Sequence, residues 1–146
     1  MKKYRITAAV LLTFLILAGC GRRINYSLPA EPLEFELGTF SNPADKDDTY
    51  GSIEYNGRTY ILYGTLKGFI RKENVGECLG YIVQDGEKLE DERVFLLNDD
   101  PDANYLVCFF VNGFMDQPDF FRDVDTAGSD ILTPSYIQSL EYDYWE

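Results

Sequence analysis

Three cysteines, no histidine and 25 carboxylates set the chemistry open to this 146-residue chain. Without His there is no Ser-His-Asp or Cys-His relay and no His-based zinc site. A catalytic thiol needs a neighbour that stabilises the thiolate, most often the same missing imidazole. Carboxylate chemistry survives this pruning, because a hydrolase of the paired Asp/Glu kind requires only two carboxyls at a suitable separation. Among 25 acids, however, two lie close together by number alone. The sequence therefore assigns no catalytic residue and no cofactor. It is read as a non-enzymatic chain, with a carboxylate-dependent hydrolase at the cell envelope as the alternative.

Two acidic runs imitate the start of a calcium loop: Asp100-x-Asp102-x-Asn104, and Asp123-x-Asp125 followed by Gly128. An EF-hand needs Gly at its sixth position and a bidentate Glu at its twelfth. The first run has Tyr105 and Val111 in those places; the second has Gly128 but ends on Pro134. Turns built by Asp and Asn are the simpler reading of both, and no metal ligand is assigned.

The remaining reactive group is Cys20. It closes Leu17-Ala18-Gly19-Cys20, after an apolar run from Ile6 to Ala18 that is itself preceded by Lys2, Lys3 and Arg5. Those 13 residues fall short of the roughly 20 that span a bilayer. A basic start, an apolar stretch and a large-small-small-Cys close resemble a bacterial lipoprotein signal peptide, in which the Cys thiol receives a diacylglycerol before cleavage ahead of it. The resemblance implies a signal over residues 1–19, lipid attachment at Cys20, and residence at the outer face of the plasma membrane. Gly21 rather than an acid follows the Cys, so in a cell with two membranes it implies the outer one. Each buried CH₂ contributes about 0.8 kcal/mol and two acyl chains hold stably where one does not.

Residues 20–33, with Pro29 and Pro32, read as a lipidated tether, and 34–146 as one acidic globular domain. From Glu31 onward the chain carries eight Lys and Arg against 25 Asp and Glu, a net −17. Such a body has no basic footprint for nucleic acid. It favours a cationic or amphipathic peptide or protein partner, while Arg22 and Arg23 sit beside the lipid.

The elements that must position these groups are short, aromatic and β-branched strands. Ser52–Tyr55 and Arg58–Tyr63 flank Asn56-Gly57, a type I′ hairpin signal. Cys78–Val83 runs to Asp85-Gly86, Arg93–Leu97 to the Asn98–Pro101 loop, and Tyr105–Val111 reads as a central strand covered on both faces. Thr133-Pro134 suggests a helix over 134–140, and Pro118 a second one carrying Phe120, Phe121 and Arg122. The expected fold is mainly β or α+β, a small antiparallel sheet or sandwich of five to seven strands with one or two short helices. Cys78 and Cys108 fall inside apolar strands and are read as reduced and buried, a bridge between neighbouring strands being the alternative.

Of the aromatics, Phe95, Tyr105, Phe109 and Phe110 read as core. Tyr136, Tyr142, Tyr144 and Trp145, set among Glu141, Asp143 and Glu146, suit either a latch over the sheet or a contact surface, and Tyr142, Tyr144 and Trp145 are the candidate partner contacts. The stretches Gly64-Thr65-Leu66-Lys67-Gly68, Gly76-Glu77-Cys78-Leu79-Gly80-Tyr81 and Pro118-Asp119-Phe120-Phe121-Arg122 resemble small uncharacterised lipoproteins of Gram-positive anaerobes. That resemblance implies a surface-tethered protein, of which immunity proteins that capture peptide toxins are one kind by size and anchor, and it transfers no functional residue.

Overall fold

A computed structural model describes residues 23–113 and 117–145. Cys20 and the signal segment lie outside the described residues. The chain is mainly β: β1 (Leu33–Glu36), β2 (Gly38–Ser41), β3 (Thr49–Tyr55), β4 (Arg58–Leu66), β5 (Val75–Gln84), β6 (Glu87–Leu97), β7 (Tyr105–Phe110), β8 (Asp119–Asp123) and β9 (Ile137–Ser139). The two Gly-containing dipeptides make the turns they announce. Asn56 and Gly57 both take positive φ, 50° and 75°, between β3 and β4, and Asp85 and Gly86 do the same, 53° and 80°, between β5 and β6.

The strands form one sheet in the order β1-β5-β6-β7-β8-β4-β3-β2. Its edge strands β1 and β2 are consecutive in the chain, separated by Leu37 alone, so the sheet curls until residues 33–41 join one edge to the other. Pairing is antiparallel except between β1 and β5, which run parallel. That contact demands Gly80, because a Cβ there would meet the Leu33 carbonyl oxygen at 1.9 Å. β9 pairs with β4 at Gly64–Leu66, on the edge that β3 uses further back, and a Cβ on Gly64 would meet the Gln138 carbonyl oxygen at 2.4 Å.

Curling gives the sheet two apolar faces. The inner face gathers Phe35, Ile53, Tyr60, Val94, Leu106 and Phe121, with Cys108 among them. The outer face gathers Phe95, Tyr105, Val107, Phe109, Phe120 and Ile137. An outer apolar face must be covered, and irregular chain does this: Ile24 and Tyr26, the loop around Ile70, and the segment from Ile131 to Trp145 all pack on it. The chain between Arg23 and Leu33 is therefore held against the domain at its start. The Tyr26 ring meets Phe109 edge-on at 5.3 Å, and Arg93 donates to the Tyr26 carbonyl.

Three expectations are corrected. Among the described residues there are nine strands rather than five to seven, and helix is confined to 3-10 turns of three residues. The helix expected from Pro118 is strand β8, hydrogen-bonded by β7 on one edge and β4 on the other. Its Phe120 faces outward and Phe121 inward, and both are buried. The helix expected over 134–140 is a turn closed by Ile137 N–H to the Pro134 carbonyl, 3.0 Å, followed by β9. Thr133 caps no helix; its hydroxyl lies 2.7 Å from the Tyr105 hydroxyl.

Candidate functional site

Both calcium-like acidic runs fold into loops at one end of β7 and β8, and the cation between them is a side chain. Arg58, the first residue of β4, donates Nε–H to Asp123 Oδ2 at 2.6 Å and pairs with the same oxygen through a second nitrogen. Its remaining donors reach the carbonyls of Asp102, 2.8 Å, and Ala103, 3.0 Å, and Asn104 Oδ1, 3.4 Å. Asp123 is 1% exposed and also accepts from the Asp125 N–H. Asp100 accepts from the Tyr105 N–H at 2.6 Å and from Asn104 at 3.1 Å, and burial raises its carboxyl above the ordinary value. The side-chain oxygens of Asp100, Asn104 and Asp123 are turned to backbone N–H groups, to Asn104 or to the guanidinium. Among the described residues no group of three or more Cys, Asp or Glu is placed to hold a metal ion.

A second arginine fills the aromatic cluster. Arg122 projects from β8 to the outer face, where its guanidinium lies 4.8 Å from the Trp145 ring centre, 5.2 Å from Tyr63 and 5.8 Å from Tyr105. It donates to the Thr126 hydroxyl and carbonyl, each at 2.8 Å. Three ring faces thus stabilise a buried cation by their quadrupoles. Trp145 is held further by Tyr63, 5.5 Å, and Tyr144, 4.8 Å, and Tyr144 in turn meets Phe40 at 5.1 Å. Tyr144 and Trp145 are half-buried and form the latch over the sheet.

Tyr142 stands differently. It packs on Tyr50 at 5.2 Å and lines an open groove of about 380 Å³ with Asp48, Glu141 and Asp143. Asp48 accepts from the Tyr50 hydroxyl at 2.7 Å and from Asn42 at 2.9 Å. Glu141 holds a positive φ of 55°, unusual for a residue with a side chain, which turns the chain at the groove's rim. Two tyrosine rings and three carboxylates therefore converge on one concave surface. Sequence reasoning named Tyr142, Tyr144 and Trp145 together; the fold puts the first at the groove and the other two behind it. It missed Asp48 and Tyr50, which lie some 90 residues away in sequence.

A different pair of acids is set on the inner face. The registers Glu92 to Phe110 and Cys108 to Asp119 place Glu92, Cys108 and Asp119 on one side of the sheet across β6, β7 and β8. Burial raises both carboxyls, and Asp119 raises Glu92 further. Cys108 is buried and free, and its thiol is pushed well above the ordinary range by burial and then by these two carboxylates. Cys78 is also free; its register partner Phe95 belongs to the outer face, so the two sulfurs lie on opposite sides of the sheet with β6 between their strands. That is the geometry of two reduced thiols.

Among the described residues no helix is long and apolar enough to cross a membrane. No family model, no curated protein and no solved structure matches the chain.

Proposed function

We propose that the chain is a lipid-anchored envelope protein, held through Cys20, whose acidic domain binds a cationic or amphipathic partner without turning it over; capture of a toxic peptide is its concrete form. The observation that carries the reading is the groove of Asp48, Tyr50, Glu141, Tyr142 and Asp143. Its carboxylates suit Lys or Arg side chains and its rings suit the apolar part of the same partner. The surrounding charge adds to this, because four of the eight cations after Glu31 are engaged internally: Arg58 and Arg122 as above, Arg93 on the Glu90 and Tyr26 carbonyls, and Lys88 on Glu34 at 2.5 Å. The exposed acid is left largely uncompensated and speeds encounter with basic partners.

The test is titration of the protein with a Lys-rich amphipathic peptide at low salt and at about 0.15 M, where the Debye length is about 8 Å. Tyr142→Ala and Asp143→Asn are each expected to weaken binding about tenfold, or about 1.4 kcal/mol. Binding that vanishes at the higher salt, or that ignores both substitutions, would reduce the interaction to diffuse charge. The anchor is tested by fatty-acid labelling, which Cys20→Ala should abolish.

A second reading keeps the hydrolase, on the strength of Glu92 and Asp119 sharing one face with raised carboxyls. It requires turnover of a glycan or peptide substrate that is lost in Glu92→Gln or Asp119→Asn.

A further inference from the structure

The covering of the outer face ends in a patch whose chemistry is opposite to the rest of the surface. The loop between β4 and β5 presents Phe69, 70% exposed, next to Lys67 and Arg71, in a groove that Glu73 and Asp99 also line, the latter engaged by the Tyr136 hydroxyl and by Asn74. Arg71 lies 5.9 Å from the Phe69 ring centre and only 3.9 Å from Glu73, an exposed and therefore weak pair. Phe69 and Arg71 form one groove of about 920 Å³ with Arg23, Ile24 and Tyr26, so the loop sits beside the first described residues of the chain. Among the described residues one other large apolar side chain is as bare: Leu132, 86% exposed, in the neighbouring segment that covers the same face.

We propose that this Phe69 loop is a docking face for an anionic lipid surface, and that it lays the domain down on the membrane around its own anchor. The inference rests on the reading of Cys20 as lipidated. Cys20 and Arg23 are three positions apart, a reach of at most about 10 Å. Whatever carries the acyl chains therefore brings the groove at Arg23 to headgroup depth, and the side chains found there are those that suit it. Arg23, Lys67 and Arg71 complement lipid phosphates, and an exposed aromatic inserts among the upper acyl segments. Elsewhere the domain is repelled by the same surface. The acidic hairpin from Asp85 to Asp91 lies at the far end of the ten-residue strand β5 from the turn Lys72–Asn74, roughly 30 Å away, and is kept off the bilayer. Docking through this face orients the chain; a loose tether would leave all orientations open.

The experiment uses lipidated protein purified from membranes and reconstituted in vesicles whose acyl chains are brominated near the headgroup. Phe69→Trp places a reporter at an exposed position, and the parent chain gives the background from Trp145. In vesicles with about 30% phosphatidylglycerol, indole emission from the Phe69→Trp protein is expected to be quenched at least threefold more than that of the parent. Lys67→Glu with Arg71→Glu in the same chain should abolish the excess. Leu132→Trp serves as a second reporter should the Phe69→Trp substitution perturb the loop. Protein that floats with the vesicles but shows no excess quenching at either position overturns the docking face and leaves the anchor standing. Equal quenching in phosphatidylcholine vesicles overturns the assignment of the patch to anionic lipid. Protein that does not float at all refutes the anchor, and the inference falls with it.

Discussion

Replacing Arg58 by Ala removes a side chain that ties both acidic loops to the hairpin, leaving Tyr60 on the first of them. Asp123 would keep its bond from the Asp125 N–H but lose its counterion at 1% exposure, and the Asp102 carbonyl would lose its side-chain donor, while the Ala103 carbonyl would keep the Tyr60 hydroxyl at 2.6 Å. Breaking a buried ion pair from one side costs about 3–5 kcal/mol. Arg58 is itself 31% exposed, so water can reach the vacated carbonyls, and the lower end applies: about 3 kcal/mol, or a fall in Tm of about 10 °C for a domain of this size. Urea unfolding of both proteins measures it. Most of the cost is the charge left behind, so Asp123→Asn in the Arg58→Ala background should recover at least about 1 kcal/mol, although the same change alone destabilises. Arg58→Lys should not restore stability, because one ammonium cannot serve a carboxylate, two carbonyls and an amide at fork geometry. A loss below about 1 kcal/mol for Arg58→Ala, or strict additivity of the two substitutions, would refute the account.

Three further outcomes follow from the geometry. Gly57→Val should cost about 1 kcal/mol or more, read by urea unfolding, because φ at that position is 75° and a β-branched residue resists it. Denatured Cys20→Ala protein should take up two equivalents of a thiol reagent with no prior reduction, and native protein should react slowly, since burial raises both Cys78 and Cys108. Glu92, Asp100 and Asp119 have folded-state values raised by burial, so the stability they lend is full below the unfolded carboxyl range and is lost as pH rises through the folded values. Glu34, lowered by Lys88, runs the other way. Glu92→Gln should therefore stabilise at pH 7 and do nothing near pH 4, measured by thermal unfolding at both.

What could be read from the chain was what is local. Asn56-Gly57 and Asp85-Gly86 force positive φ wherever they fall, so both hairpins were legible. The two helices expected after Pro118 and Thr133 fail for tertiary reasons. In β8 every residue is at least half-buried, because two strands flank it and both faces of the sheet are covered, so no polar alternation marks it as a strand. Pro118 then reads as a helix start when it is only the residue before a buried strand. The partner of Arg58 lies 65 residues away and that of Trp145, the Leu62 carbonyl, 83; no spacing rule reaches them. The groove was half legible: Tyr142 carries the aromatic and acidic signature in its own neighbourhood, whereas Asp48 and Tyr50 arrive through the pairing of β2 and β3.

The two places where composition advertised a ligand are those the chain fills from within. Asp and Asn runs suggested a metal ion, and Arg58 stands among them; a cluster of Tyr and Trp suggested a contact surface, and Arg122 lies against the rings of Trp145, Tyr63 and Tyr105. A guanidinium is suited to both tasks, offering five fixed donors to oxygen and a flat, weakly hydrated face to aromatics. The consequence reaches the surface. Cations spent inside a net −17 domain cannot neutralise it outside, so the exposed charge separates into acid around Asp48, Glu141 and Asp143 and a small basic, apolar patch at Phe69 beside Arg23. Recognition by this domain is then a matter of which face meets which surface. A basic partner and an anionic membrane, the two surfaces proposed above, make opposite demands, and the internal placement of Arg58 and Arg122 leaves the two faces unlike enough to answer each separately.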